Sequence, residues 1–270
     1  LDNIKAKLEA LNQQANRQPS GESKEFKSIT WKPNPGKQII RVLPNLPLNL
    51  DHDNPFLPLN IYFNLTKRWL ISPENFDRPD PVIEYCNALI PEGTRLPKDE
   101  WNVVNDLKKS LLPQLRIYVP VLVRGEEHLG VRYWGFSPKI YMQFKEFFQG
   151  DYSDAASLTN GIDFTVDFTP SPDKNDPRHA NTVIAPRRNS SPASEDPTVI
   201  KLINEMPNIL DSFHEPTYEE LKTALKTFLQ IPKKEKDPVV EEKPKSNNLN
   251  VTIDHDATNE GFEIEKKDRV

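Results

Sequence analysis

The sequence predicts an α+β protein with a mostly antiparallel β core and helices inserted into it and appended to it. Three observations carry this. Gly161 to Thr169 alternates strictly, with Ile162, Phe164, Val166 and Phe168 on one face and Asp163, Thr165, Asp167 and Thr169 on the other. Arg116 to Phe136 reads as two strands joined by the turn G-E-E-H-L-G. Helical stripes lie between and after these runs, at Ile140, Phe144, Phe147 and Phe148, and at Tyr218, Leu221, Leu225, Phe228 and Leu229.

In chain order, residues 1 to 15 pattern as a helix with Leu1, Ile4, Leu8 and Leu11 on one stripe, and 16 to 24 as a polar linker. Such a helix suits docking onto a partner or a second copy, and equally packing on its own domain. A compact region begins near Phe26. Lys37 to Leu43 is a strand, and residues 56 to 72 hold one or two more. The Pro- and Asp-rich stretch N-F-D-R-P-D-P precedes short helical pieces around Val82 to Leu89 and Trp101 to Leu112. After the 116–136 hairpin, Ser137 is an N-cap with Pro138 at the first helical position. The strand at 161 to 169 leads through a polar loop to T-V-I-A-P and then R-R-N-S-S-P-A-S. Two helices close the compact part. One spans Pro197 to Met206; the other starts at Thr217, which forms a T-x-x-E capping box with Glu220. The segments are therefore 1–24 (arm and linker), 25–231 (core) and 232–270, a K/E/P/N-rich tail expected to be disordered. Several short strands with an aromatic and basic face suit a partly open barrel such as the OB-fold.

Composition narrows the function. Apolar residues are 36% of 270, which fits a core with sizeable loops or tails. With 9 Gly against 26 Pro the loops are stiff, and no phosphate-cradling glycine motif occurs. The net charge is −5 but polarised: Ser20 to Ser72 carries seven Lys/Arg and four acids, whereas Asp254 to Glu265 carries five acids and no Lys or Arg. A single cysteine, Cys86, excludes an internal disulfide and a Cys-rich zinc site, and points to a reducing compartment. No apolar run approaches membrane length, so no membrane role is expected. The chain starts at Leu1 without Met, so a natural start upstream is expected.

No catalytic constellation assembles. The five His lie outside H-x-E, H-E-x-x-H and C-x-x-C contexts, and G-x-S-x-G is absent. Asp163 and Asp167 share a strand face and could mimic a paired-carboxylate metal site; solvated carboxylates suit the same pattern. The hairpin is more informative. Alternation puts Ile117, Val119, Val121 and Val123 on one face and Arg116, Tyr118, Pro120, Leu122 and Arg124 on the other, while Arg132, Trp134 and Phe136 share a face of the returning strand. Cations meet phosphates and flat rings stack on bases, which is how single-stranded nucleic acid is held without reading its sequence. Arg and Tyr also occur on ordinary solvated strand faces.

Four stretches, in order, resemble the T4-type bacteriophage single-stranded DNA-binding proteins, the helix-destabilising replication proteins. They are W-K-P-N-P-G-K-Q-I-I-R-V-L-P (31–44), D-P-V-I-E-Y (80–85), Y-V-P-V-L-V through W-G-F-S-P-K-I-Y (118–141) and S-F-H-E-P-T-Y-E-E-L (212–221). The resemblance implies an OB-fold core that binds single-stranded DNA in replication, recombination and repair. It also implies an N-terminal segment for cooperative self-association along the strand and a C-terminal tail that recruits phage replication and recombination proteins. The location it implies is the cytoplasm of an infected bacterial host. It further implies Arg41, Tyr118, Trp134 and Lys139 as binding residues; Lys67, Arg68, Trp69, Arg116, Arg124, Arg132, Arg187 and Arg188 are added on chemistry. The type member holds zinc with three Cys and one His. Here Asp80 and Ile83 stand where two thiolates would be, and Cys86 lies three positions beyond. No zinc is therefore expected, and apolar packing around Val82, Ile83, Tyr85 and Leu89 takes its place. The tail from Lys233 to Val270, with eight bases and ten acids, is only weakly acidic. Two other readings remain: a phage structural or assembly protein using the β core for protein contacts, and a nuclease or primase-like enzyme using Asp163 and Asp167 with a divalent metal.

Overall fold

Strand β5 (Gln114–Val123) organises the sheet because it pairs with three others. On one side lies β6 (Arg132–Phe136), antiparallel, with Val119 opposite Trp134. On the other side β5 first pairs with β3 (Leu57–Tyr62) through residues 114–118, then with β2 (Gly36–Val42) through residues 121–123. Pro120 falls at this change of partner. Its carbonyl accepts from the Leu43 N–H at 3.0 Å, and its missing donor leaves no ladder bond unmade.

The remaining strands extend this frame. β1 (Thr30–Trp31) runs parallel to β6, and β4 (Leu70–Ile71) pairs with β3. β7 (Gly161–Thr169) and β8 (Asn181–Ser191) follow β2 to the far edge. The result is an open eight-stranded sheet, antiparallel except at β1–β6. The computed structural model describes residues 24–90, 93–173 and 179–230. The chain divides into units Leu1–Lys233 and Lys234–Val270, and all described residues belong to the first. The predicted helix at 1–15, its linker up to residue 23 and the tail beyond 231 lie outside the described residues.

Among the described residues six α-helices accompany the sheet: α1 (Lys24–Ile29), α2 (Pro81–Ala88), α3 (Lys98–Leu111), α4 (Pro138–Phe148), α5 (Pro197–Asn204) and α6 (Tyr218–Gln230). On α4, Phe144 and Phe148 are buried against Val119, Trp134, Phe136 and Phe164, with Ile140 and Phe147 partly buried beside them. Ser137 occupies the α4 N-cap position, but its side chain accepts no capping bond. The α6 capping box forms in both directions: Thr217 N–H donates to Glu220 Oε2 at 2.7 Å, and Glu220 N–H to Thr217 Oγ1 at 3.3 Å. Leu221, Leu225 and Phe228 of α6 pack with Val82 and Cys86 of α2 and Leu107 and Leu111 of α3, and Tyr85 and Leu89 lie partly buried beside them.

The structure corrects the expectation of one solvated hairpin face, because both faces of β5 are covered. Ile117, Val119, Val121 and Val123 join the α4 cluster. Tyr118 packs with Phe26 of α1, Leu59 and Ile209, while Leu122 packs with Val199 and Ile203 of α5. Gly135 lies opposite Tyr118, and a Cβ there would meet the Tyr118 ring at 2.4 Å. A glycine is therefore needed for the ring to lie across β6.

The β8 edge is guarded. Gln143 of α4 donates from Nε2 to the Thr182 carbonyl at 3.0 Å and accepts from the Ile184 N–H at 3.0 Å. Its amide occupies the outward groups that another strand would use, and Pro186 follows without an N–H. Replacing Gln143 by Ala should speed amide exchange at Ile184 and promote self-association through β8. Hydrogen exchange with size-exclusion chromatography checks this, and unchanged exchange would contradict it.

Candidate functional site

Arg41 and Arg124 are committed to a buried ion cluster, not to a groove. Register places Arg41 of β2 opposite Asp163 of β7. Arg41 Nε donates to Asp163 Oδ1 at 2.8 Å, and its Nη atoms donate to the Ser191 carbonyl and Oγ at 2.9 and 2.8 Å. Arg124, at the end of β5, donates to both carboxylate oxygens at 3.0 and 2.9 Å and to the Ala193 carbonyl at 2.8 Å. The Arg41 side chain is fully buried. Burial forces a guanidinium to find acceptors, and the pairing with Asp163 satisfies that demand. The expectation of a solvated Asp163, or of a metal-binding pair with Asp167, is corrected by the same contacts. Asp167 faces Lys37 instead, at 4.0 Å. Among the described residues no group of three or more His, Cys, Asp or Glu is placed to hold a metal ion.

Trp134, Tyr118 and Arg132 are also withdrawn from solvent. Trp134 is 2% exposed, edge-on to Trp31 at 5.2 Å and Phe136 at 4.9 Å, so no ring face is open to a base. Register explains this: Trp134 lies opposite Val119, which points into the core, and Arg132 lies opposite Val121 on the same face. Arg132 is largely covered and pairs with Glu126 at 2.5 Å. Tyr118 is 3% exposed.

Four of the nominated residues converge. The connection from β3 to β4 carries Phe63, Lys67, Arg68 and Trp69. Thr66 fixes its turn: Oγ1 donates to the Arg68 carbonyl at 2.6 Å and accepts from the Arg68 N–H at 3.2 Å. Leu65, buried, anchors it below. Phe63 and Trp69 meet edge to face at 4.7 Å, and the Arg116 guanidinium of β5 lies 5.6 Å from the Phe63 ring centre. Phe26 of α1 contacts Trp69 at 5.4 Å and Phe213 at 5.2 Å. Both Phe63 and Trp69 are half-buried, and Lys67 and Arg68 are exposed. No acid occurs between Asp53 and Glu74, or between Lys109 and Arg124, so the two segments that carry Phe63, Lys67, Arg68, Trp69 and Arg116 are themselves basic. The patch thus presents fixed aromatic surface beside three cations.

The other nominees lie on elements outside this patch. Lys139 is exposed in the first turn of α4. Arg187 and Arg188 are exposed on β8, where the register jump from Ile162–Ser190 to Phe164–Pro186 sets residues 187–189 against Asp163 alone. Phe63 was absent from the sequence-based set, as were Phe26 and Phe213. The run F-N-L-T-K-R-W contained the signal for Phe63, since a turn with Thr at its centre brings its two ends together. Phe26 and Phe213 are distant in sequence and gave none.

Asp80 ties the start of α2 to β3 and to the segment after β4. Its Oδ1 caps α2 by accepting from Val82 N–H at 3.0 Å and Ile83 N–H at 3.4 Å. Its Oδ2 accepts from Tyr62 Oη at 2.8 Å and Ser72 Oγ at 2.6 Å. Burial pushes the Cys86 thiol up to about 11, so it stays protonated and inert at neutral pH. No helix among the described residues is long and apolar enough to cross a membrane. Neither a protein-family model nor a curated protein matches the chain.

Asp163 supplies a test with a defined sign. Burial alone would raise its pKa, but hydrogen bonds from Arg124 and the charges of Arg41 and Arg124 outweigh that and hold it below the usual range. A depressed folded-state value stabilises fully above the unfolded value of about 4 and is lost as pH falls through the folded value. Asp163→Asn should cost about 3 kcal/mol at pH 7, because it leaves a buried guanidinium without its counter-charge. The deficit should shrink below about pH 4. Urea unfolding of both proteins from pH 7 to pH 3 checks this; a deficit that does not change with pH would contradict it.

Proposed function

We propose that the chain is a sequence-independent single-stranded DNA-binding protein, built on an OB-fold-type core and acting in phage DNA replication, recombination and repair. The observation that carries the reading is the joining of Phe63, Trp69 and Arg116 with Lys67 and Arg68 in one patch built from two acid-free segments. Bases stack on Trp69 and Phe63 at about 1–3 kcal/mol each, and the cations neutralise phosphates and release counterions. Binding the open strand in preference to the duplex lowers duplex stability by mass action. The four ordered sequence stretches that resemble the T4-type family support the same reading. On that reading the N-terminal arm mediates self-association, the tail recruits replication and recombination proteins, and the protein works in the cytoplasm of an infected bacterial host. Arg187, Arg188 and Lys139 remain exposed cations available to an extended strand.

The test is a titration of fluorescent oligo-dT and its duplex at several salt concentrations. Trp69→Ala should weaken single-strand binding about 10- to 100-fold with the fold intact. Arg68→Ala should lower the salt slope by about 0.7. Trp134→Ala should instead destabilise the core by about 3–5 kcal/mol. Equal affinity for both DNA forms, or unchanged binding by Trp69→Ala, would overturn the reading and favour protein contacts by the β core.

A further inference from the structure

A concave site lies along the two chain segments that run on from Trp69 and Phe213. A pocket of about 470 Å³ is lined by Pro73, Arg78, Pro79, Glu84, Pro216 and Tyr218. The segments leading to it from Trp69 and Phe213 are pinned together. Leu70 bridges His214, and the Ile71 N–H donates to the His214 carbonyl at 3.2 Å. Pro73 lies four residue steps beyond Trp69, at most about 13 Å of extended chain. That keeps the pocket within the 4–16 nucleotides that one such fold covers.

The chemistry of the pocket suits a flat, neutral ring with N–H donors. Proline rings and the Tyr218 ring give apolar walls, and Tyr218 is 38% exposed. Tyr218 Oη donates to Glu84 Oε2 at 2.7 Å, which fixes the phenol and orients the carboxylate. A carboxylate has about four acceptor positions, so Glu84 retains capacity for further donors. The charges nearby are largely matched: Arg78 pairs with Glu215, and Lys222 with Glu219. Lys222 Nζ already lies 5.8 Å from the Tyr218 ring centre, which disfavours a second cation on that ring. A neutral base meets no such repulsion. Among the bases, guanine presents two adjacent N–H donors on its pairing edge, matching the two oxygens of one carboxylate.

We propose that this pocket is a nucleobase subsite that favours an unpaired guanine, a local preference within otherwise sequence-tolerant strand binding, with Glu84 as the acceptor, Tyr218 as the stacking ring and Arg78 beside the phosphate. The inference rests on the single-strand reading of the patch around Trp69. Arg78 is free to turn to a phosphate because its exposed pair with Glu215 contributes little.

The test uses the full chain and free 5′-GMP and 5′-TMP, followed by NMR shifts of the Tyr218 ring. GMP should bind about tenfold more tightly than TMP. Glu84→Gln should remove that preference, and Tyr218→Ala should remove binding. Trp69→Ala should leave GMP binding unchanged while it weakens oligo-dT, which separates this subsite from the patch. Equal binding of GMP and TMP, no binding of either, or a preference that survives Glu84→Gln would overturn the proposal. Tighter binding of arginine amide than of GMP would overturn it too, and would assign the pocket to a basic peptide.

Discussion

The pairing of Asp163 with both Arg41 and Arg124 is the constraint around which the sheet is assembled. It joins β2, the end of β5 and β7, and it reaches the Ser191 and Ala193 carbonyls at the end of the far edge strand. A buried guanidinium cannot be left without acceptors, so any register slip between β2 and β7 costs more than its lost ladder bonds. A one-residue slip would move Asp163 to the opposite face of β7 and leave Arg41 against apolar neighbours. The register jump between β7 and β8 falls at the same place, where the ladder yields to the ion cluster.

This commitment decides which cations are available for anything else. Arg41 and Arg124 spend their donors inside the fold, and Arg132 is held by Glu126. Of the cations left at the surface, Arg116, Lys67 and Arg68 gather at one end of β5 and the adjoining β3–β4 turn, while Lys139, Arg187 and Arg188 lie on other elements. Aromatic surface is divided the same way. Trp31 and Trp134 fill the core, whereas Phe63 and Trp69 are held by edge contacts with part of their surface outside. The fold therefore separates structural rings and charges from presented ones, and the separation follows strand register.

Local structure was legible in the sequence where a short-range period or a cap fixed it. The alternation of β7, the α4 stripe and the Thr217–Glu220 box appear as read. The hairpin shows the limit. Alternation gave the two faces of β5, but the cover over Tyr118 and Leu122 comes from α1, α5 and Ile209, all remote in sequence. Which face of β6 matches which face of β5 depended on the turn between them, and the facing pair is Val119–Trp134. Trp134 was thus read as presented when it is core. Lys67, Arg68, Trp69 and Arg116 were found by residue chemistry alone. Their meeting was not legible, because it depends on β3 pairing with β5. The role of Asp80 was not read from the sequence, although a carboxylate before Pro81 is a natural N-cap; its bonds from Tyr62 and Ser72 depend on tertiary contacts.

The central claim is that unpaired strand lies on the Phe63–Trp69–Arg116 patch and not on the β5–β6 hairpin. The most direct measurement is photo-cross-linking of the full chain to an oligonucleotide carrying 5-iodouracil, with the attached residues mapped by mass spectrometry. The account predicts adducts on Phe63 and Trp69 and none on Trp134. Adducts on Trp134, or none on the β3–β4 turn despite efficient cross-linking elsewhere, would contradict it.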